Sequence, residues 1–447
     1  MPDAPNCTSR SPPRSAADRG AIPRPGRVSP SVPAVQSLPV VVIGAGHAGV
    51  AVSRQLQMRD IEHVVLERGR IGETWRTQRW DSFRVNTPAG VNGLPGLDFP
   101  GEPDHFPSAA DLTGYLERYA ASFRLPIREG VAVTAVERSG GGFEVLTDHA
   151  DLGTIGSRAV VLAAGTQNRP RIPALASQLP ETMLQIHAGG YRNPAALPPG
   201  AVLVVGSAQS GCQIAEDLVA AGRRCYLSVS RVARAPRRYR GGDIVDWFLQ
   251  SGFFGQSLAA LPDPVLQFAP QPQVSGVGEH GHTVSLQGLA RQGVTLVGRF
   301  LGAAAGALTF DDSVAECVRF ADTGSADIKQ LVDGYLAEQG IALPPLVPDP
   351  ADEPCPDPEA LAGPREIDAS ALGAVVWTTG FEGDYSWVHL PVVDERGHAI
   401  HKDGIAPVSG LFFIGIPWLR TRASGVLPGV GSDAAFIADA VAKHLEG

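Results

Sequence analysis

The chain has 447 residues, a formal net charge of −9, 44% hydrophobic residues and 19% charged residues. Such a length holds two or three domains with real cores, and the composition is that of a soluble globular protein. The acidic balance argues against nucleic acid and anionic membrane as partners, and no apolar run approaches the roughly 18–20 residues of a membrane span.

In chain order, residues 1–37 are rich in Pro, Ser, Arg and Ala and lack the apolar middle of a secretory signal. They are expected to be a disordered extension without a catalytic role; their Arg and Ser content is the one hint of a targeting peptide. Leu38 to Ile43 reads as a buried parallel strand. It runs into Gly44-x-Gly46-x-x-Gly49, where the first glycine allows a tight turn, the second lets a pyrophosphate approach and the third lets a helix pack on the strand. That helix is expected from about Ala48 to Arg59, with its positive end at the phosphates. The strand His63 to Glu67 ends in an acid about twenty residues beyond the glycines, where a carboxylate accepts from ribose hydroxyls. Glu67 repels a 2′-phosphate, so this unit should take FAD or NAD.

Residues 72–107 read as a long irregular segment, a kind of loop that is usually functional. A helix from about Ser108 to Phe123 follows, with Ser108 as N-cap and Asp111 three residues on. Val131–Val136 and Phe143–Leu146 form an expected hairpin, and Ala159 to Thr166 an expected buried strand entering a glycine turn.

The second unit repeats the first. Val202 to Val205 leads into Gly206-x-Ala208-x-x-Gly211, a helix over Cys212–Ala221 and a strand over Arg224–Val229. Ala208 adds a methyl at the closest approach to phosphate and weakens the motif slightly. This strand ends in Ser230-Arg231 and not in an acid, which suits the 2′-phosphate of NADPH; a solvated surface arginine is the alternative. Two dinucleotides in one chain point to electrons passed from one to the other, as in a flavoenzyme reduced by a nicotinamide.

Arg234, Arg237, Arg238 and Arg240 read as a cationic rim near the NADPH phosphate or as salt-bridged surface, with nucleic-acid binding disfavoured by the net charge. Leu343 to Pro358 reads as surface loop, and Ser313–Phe320 and Ser325–Gln339 as two helices. Ala374 to Gly380 repeats the strand-to-glycine pattern. Gly410 to Gly415 is another expected strand, leading through Gly425, Gly429 and Gly431 into a helix beginning near Ser432-Asp433. The N-terminus of that helix suits a flavin edge where negative charge develops. The five cysteines contain no Cys-x-x-Cys or Cys-x4-Cys pair, which argues against a redox disulfide and suits reduced thiols in a cytoplasm.

These features resemble the class B flavoprotein monooxygenases, which include flavin-containing, indole-pyruvate and Baeyer–Villiger enzymes. The resemblance covers residues 38–447. It rests on both glycine motifs, Gly72-Glu73-Thr74-Trp75, Arg79-Trp80-Asp81-Ser82-Phe83, Asn86-Thr87-Pro88, Leu162 to Thr166, Trp377 to Phe381 and the C-terminal glycine segment. His187 with Tyr191 four residues on matches the family's linker motif. The usual Phe-x-Gly ahead of it is absent, with Glu181 and Met183 in those places. Tyr at 191, in place of Trp, looks like the flavin-containing and indole-pyruvate branches. His187 and Tyr191 are either structural, coupling domain movement to NADP⁺ retention, or direct participants.

The resemblance implies an α/β fold with two Rossmann-like dinucleotide-binding domains, the NADPH domain (197–383) inserted into a discontinuous FAD domain (38–196 and 384–447). It implies FAD and NADPH as cofactors, and O₂ and a small organic molecule as substrates. Oxygenation runs through a C4a-(hydro)peroxyflavin, with heteroatom or carbonyl-adjacent oxidation favoured. Baeyer–Villiger insertion is the alternative, followed by a nicotinamide-dependent oxidase or disulfide reductase and a non-catalytic FAD-fold binding protein. A homodimer is compatible with the chain. Asn86 aligns with the family's active-site Asn; a turn-forming Asn before Thr-Pro is the other reading. The expected cofactor-binding set is Gly44, Gly46, His47, Ala48, Gly49, Glu67, Arg68, Thr74, Trp75, Arg84, Thr87, Ala164, Gly165, Gly206, Ala208, Gln209, Ser210, Gly211, Ser230, Arg231, Thr379, Gly380, Gly415, Gly431 and Asp433. No metal site is expected.

Overall fold

The two apolar runs that precede the glycine turns each become a central strand with parallel neighbours on both sides, buried on both faces as continuous hydrophobic strands require. A computed structural model describes residues 36–273, 278 and 281–447. The expected extension therefore lies, up to position 35, outside the described residues.

Strand β1 (Gln36–Ile43) is followed by α1 (His47–Gln57) and β2 (His63–Glu67), a parallel neighbour that sets Val40 opposite His63 and Ile43 opposite Leu66. The segment read as irregular holds the one-turn α2 (Glu73–Thr77). Helix α3 (Ala109–Phe123) starts at the expected capping box: Ser108 Oγ accepts from Asp111 N at 3.1 Å and Ser108 N donates to Asp111 Oδ2 at 2.9 Å. Strand β3 (Ile127–Glu129) lies beside β2. Then β4 (Val133–Ser139), β5 (Gly142–Thr147) and β6 (Thr154–Leu162) run as an antiparallel meander, and β6 returns parallel to β1.

From the end of β6 the chain crosses to a second sheet through β7 (Arg169–Pro170). There β8 (Leu184–His187), β9 (Ala201–Val205), α4 (Gln209–Ala220) and β10 (Cys225–Ser228) repeat the strand–turn–helix–strand plan. A hairpin, β11 (Arg238–Tyr239) with β12 (Gly242–Asp243), precedes α5 (Ile244–Gln250), α6 (Leu286–Arg291) and β13 (Thr295–Val297). Strands β14 (Phe300–Ala304) and β15 (Ala307–Phe310) lead into α7 (Val314–Glu338), and β16 (Glu366–Asp368) pairs with β15. Strand β17 (Leu372–Trp377) enters between β9 and β8, so the all-parallel second sheet has the order β13-β10-β9-β17-β8. The chain returns through β18 (Phe381–Glu382), antiparallel to β7, to β19 (Leu411–Phe413) on β6 and the final helix α8 (Leu427–Glu446). Two short paired strands thus carry both crossings between the sheets.

Four expectations need correction. The two helices read over 313–339 are one helix of 25 residues. Gly324 sits inside it because the helix passes so close to Ala233 that a Cβ there would meet Ala233 Cβ at 2.6 Å. Helix α8 starts at Leu427 and not near Ser432-Asp433: Pro428 occupies its first turn, where a missing N–H costs nothing. Gly429 is helical and pressed on Ala423 O, 2.2 Å from where its Cβ would stand. Of the four arginines of 234–240, Arg238 is exposed and Arg240 half-buried, each within ion-pair distance of an aspartate, as salt-bridged surface would be, but the other two are core. Arg234 and Arg237 are buried, Arg234 paired with Asp322 at 2.7 Å and with Asp352, and Arg237 with Asp243. The loop over 343–358 is not wholly surface, since Asp352 turns inward to that pair and to Ser325 Oγ at 2.6 Å.

Candidate active site

The carboxyl ends of both sheets border one cavity of roughly 820 Å³, the place where ligands of parallel α/β sheets bind. Its wall includes the ends of β1, β2 and β6 and the turn after β19. It also takes in His187 at the end of β8, Thr378 just after β17, and Ala208, Gln209 and Ser210 at the start of α4.

The first glycine turn is shaped by close approach. Gly44 has φ +107°, and a Cβ on it would lie 2.6 Å from Ala163 O. A Cβ on Gly49 would lie 1.9 Å from Gly44 O, whereas one on Gly46 would meet no protein atom within 4 Å. Two glycines are thus closed by protein and the middle one lines the cavity beside the first N–H groups of α1. The second turn has the same build: Gly206 at φ +108°, and a Cβ on Gly211 1.9 Å from Gly206 O. Ala208 takes the extended backbone of Gly46 (φ −79° against −73°), so its methyl stands where the first turn leaves space.

Glu67 is buried and ties the first turn together, its Oε2 accepting from Ala45 N at 2.7 Å and its Oε1 from Gly69 N at 2.9 Å. His47 Nε2 is buried without a hydrogen-bond partner among the described residues, and burial lowers the ring's pKa to about 4, so it stays neutral. The space at Gly46 beside the first N–H groups of α1 fits a dinucleotide pyrophosphate, and the orphaned His47 Nε2 next to it is left for a ligand to meet.

Asn86 is held from the second unit. Its Oδ1 accepts from Gln213 Nε2 at 3.0 Å, and its backbone carbonyl accepts from Arg237 Nη1 at 2.9 Å. Its Nδ2 donates to no described residue. Next to it, the Thr87 hydroxyl donates to buried Asn92 at 2.5 Å, which fixes the loop. Arg79 stacks over Trp75 at 4.5 Å, and burial lowers its pKa to about 10.

His187 Nδ1 accepts from Gly189 N at 3.1 Å and Nε2 donates to Gly380 O at 2.9 Å. Burial lowers its pKa and holds it neutral. Tyr191 is buried outside the cavity and donates to Asp217 Oδ2 on α4 at 2.6 Å; Ser82 Oγ donates to the other carboxylate oxygen at 2.7 Å.

Of the expected set, Asn86, Gly44, Gly46, His47, Ala48, Glu67, Arg68, Thr74, Trp75, Thr87, Ala164, Gly165, Ala208, Gln209, Ser210, Gly380 and Gly415 line the cavity. The others stand off it. Gly49, Gly206 and Gly211 are packed within the turns. Arg84 Nη1 donates to Phe106 O at 3.3 Å, and Thr379 Oγ1 donates to Arg171 O. Ser230 Oγ meets Ser207 N at 3.4 Å; Arg231 reaches Glu316 at 3.4 Å and covers Phe320. Gly431 faces Pro95. Asp433 is buried near Arg420, and burial raises its carboxyl pKa. The α8 residues that reach the cavity are Leu427 and, just before it, Gly425 and Val426. Sequence reading missed Gln213, although its spacing of four from Gln209 puts both on one helix face. Arg79 stands in one of the family motifs but outside the expected cofactor-binding set, and Trp418 and Arg422 have no local pattern.

Residues 41–241 match the family described as pyridine nucleotide-disulphide oxidoreductase. An uncharacterized CzcO-like oxidoreductase of Geobacillus kaustophilus is 30% identical over 408 residues, covering 91% of this chain and 98% of its own. The probable indole-3-pyruvate monooxygenase YUCCA1 of Arabidopsis thaliana is 32% identical over 206 residues, 45% of this chain and 49% of that protein. The solved flavin-containing monooxygenase of Stenotrophomonas maltophilia superposes with a TM-score of 0.63 at 20% identity, over 92% of this chain and 99% of its own, a likeness of fold. The chain belongs to the family of the CzcO-like oxidoreductases, and it shares the fold of the flavin-containing monooxygenases.

Proposed function

We propose that this chain is a FAD- and NADPH-dependent monooxygenase that oxygenates a small organic substrate at a heteroatom or next to a carbonyl. The observation that carries the reading is the single cavity bordered by two glycine turns of the same build, with Asn86 of the first unit bonded to Gln213 of the second. In this reading residues 38–196 and 384–447 hold FAD and 197–383 hold NADPH.

Bound FAD supplies hydride acceptance and activation of O₂. The first turns of α1 and α4 offer N–H groups to the two pyrophosphates, with Gly46 and Ala208 at the points of approach. Glu67 accepts from the ribose of the first nucleotide, and Ser230 with Arg231 receives the 2′-phosphate of the second. Asn86, held by Gln213 and Arg237, would offer its remaining Nδ2 donor to the cofactors that the cavity would hold. His187 keeps its proton on Nε2 against Gly380 O and so positions the turn after β17. Trp75, Phe83, Phe381 and Trp387 wall the cavity with apolar surface that excludes water.

Among the described residues a redox dithiol is disfavoured because Cys212, Cys225 and Cys317 are buried, and burial raises the pKa of the Cys212 thiol, to about 12, and that of Cys317, away from the reactive thiolate. The test is rapid mixing of NADPH-reduced enzyme with O₂ in the presence of NADP⁺. Reoxidation through a transient absorbing species supports oxygenation, and direct return to oxidised flavin with stoichiometric H₂O₂ makes the chain an oxidase.

A further inference from the structure

Three arginines line the cavity: Arg68, Arg79 and Arg422. Arg68 is solvent-exposed, and Arg79 lies against Trp75 on the side of the first glycine turn. Arg422 belongs to neither glycine turn. It sits in the segment entering α8, braced by the stretch 253–271. Its backbone N donates to Gln256 O at 2.8 Å, and Ala423 N donates to Phe254 O at 3.0 Å.

Its guanidinium is fixed by neutral groups alone. Nε and Nη2 donate to Gln256 Oε1 at 3.1 and 2.8 Å, and Nη1 donates to Gln271 Oε1 at 2.8 Å. The ring of Phe253 lies 4.3 Å from its centre and that of Trp418 4.7 Å. Among the described residues no carboxylate lies within ion-pair distance of it. The fully buried Arg234 and Arg237, which do not line the cavity, are each neutralised by aspartate; Arg79, likewise without a carboxylate partner, is covered by Trp75 and donates to Gln78 O and Gln167 Oε1. A partly desolvated charge without a counterion is costly, and its persistence on a cavity wall indicates that the counterion is a ligand.

Three of the five N–H donors are spent on the glutamines, which orient the fork and leave the rest for a planar oxyanion. A second donor stands on the same wall. Trp418 is 3% exposed, its Nε1–H has no partner among the described residues, and its backbone is held at φ +56°. An aromatic residue in that left-handed region is strained, and such strain concentrates at ligand sites.

We propose that Arg422, with Trp418 beside it, receives a carboxylate group of the substrate, so that the chain acts on organic acids. The proposal rests on the reading of the cavity as a flavin oxygenation site. The two pyrophosphates have their own donors at the starts of α1 and α4, which leaves Arg422 for a third anion.

The test is calorimetric titration of the holoenzyme with matched acid and amide pairs, benzoate with benzamide and phenylacetate with phenylacetamide. Wild type, Arg422→Gln and Arg422→Lys are compared, and each is also titrated with NADPH. At least one acid is expected to bind wild type tenfold or more tightly than its amide. Gln should reduce that ratio to near one, Lys should keep part of it, and NADPH affinity should stay within twofold in both variants. The proposal is overturned if wild type discriminates neither pair, or if Arg422→Gln keeps the discrimination. It is equally overturned if Arg422→Gln weakens NADPH and spares the acids, which gives the guanidinium to a nucleotide phosphate. Acid binding of the expected pattern in a protein whose flavin takes no hydride from NADPH keeps the anion site and removes the oxygenation reading.

Discussion

Gly46→Ala and Gly49→Ala add the same methyl to the same turn and should fail in opposite ways. At Gly49 the new Cβ would stand 1.9 Å from Gly44 O, a backbone atom in a turn that is itself pressed on Ala163 O. Neither atom is the end of a flexible chain, so the start of α1 must lift by more than an ångström. Overpacking of this kind costs about 1–3 kcal/mol or more, a fall of about 2–6 °C in the melting temperature of the flavin-free protein at about 2 °C per kcal/mol. At Gly46 the Cβ would touch no protein atom within 4 Å, so the flavin-free protein should melt within a degree of wild type. The methyl occupies the space claimed by the pyrophosphate instead. Loss of one charge-assisted hydrogen bond, about 1.5–3 kcal/mol, weakens FAD roughly 10- to 100-fold. Melting curves of stripped protein and FAD titrations followed by flavin fluorescence read the two effects separately. The reasoning is refuted if Gly46→Ala melts as low as Gly49→Ala, or if it binds FAD as wild type does.

Asn86→Ala, with both nucleotides still bound, should shorten the oxygen-reactive state and divert electrons to H₂O₂; unchanged coupling of NADPH to product removes Asn86 from that role. Arg231 is 57% exposed and its pair with Glu316 is long, so Arg231→Ala should leave stability within about 1 kcal/mol while lowering kcat/KM for NADPH about tenfold and sparing NADH. Equal losses with both nucleotides would count against 2′-phosphate recognition. Burial raises the Asp433 carboxyl pKa, against the opposing effects of Ser424 and Arg420. The folded state therefore binds a proton that the unfolded chain releases at about 3.9, and stability falls as pH rises from there through the raised value. Asp433→Asn should accordingly raise the melting temperature of the flavin-free protein at pH 7 and leave it unchanged below pH 4. A lower value at pH 7 would show that attraction to Arg420 outweighs burial.

The legible parts of this fold are those whose causes are local. A continuous apolar run, a glycine turn and a terminal acid lie within thirty residues of one another, and β1, α1 and β2 appear where they dictate. The Ser108–Asp111 box needs only three residues of spacing. What escaped reading depends on distant partners. Gly324 looks like a break between helices until Ala233 is seen pressed against it, and Gly429 looks like loop until Ala423 O is found beneath it. The burial of Arg234 depends on Asp322 and Asp352, 88 and 118 positions away. Arg422 is braced by Gln256 and Gln271, 166 and 151 positions away, and no periodicity announces such a contact. Gln213 is the exception, a cavity residue whose helical spacing from Gln209 could have been used.

The bond from Gln213 to Asn86 has a consequence for the order in which the protein fills and empties. Gln213 rides on the helix that begins at the second glycine turn, while Asn86 rides on a loop of the first unit, so neither site can alter its shape in private. Linkage requires that whatever factor one guest exerts on its neighbour's affinity be returned in equal measure. A guest that shifts the Asn86 amide changes the hold on its companion across the same bond, and the companion returns the change by the same factor.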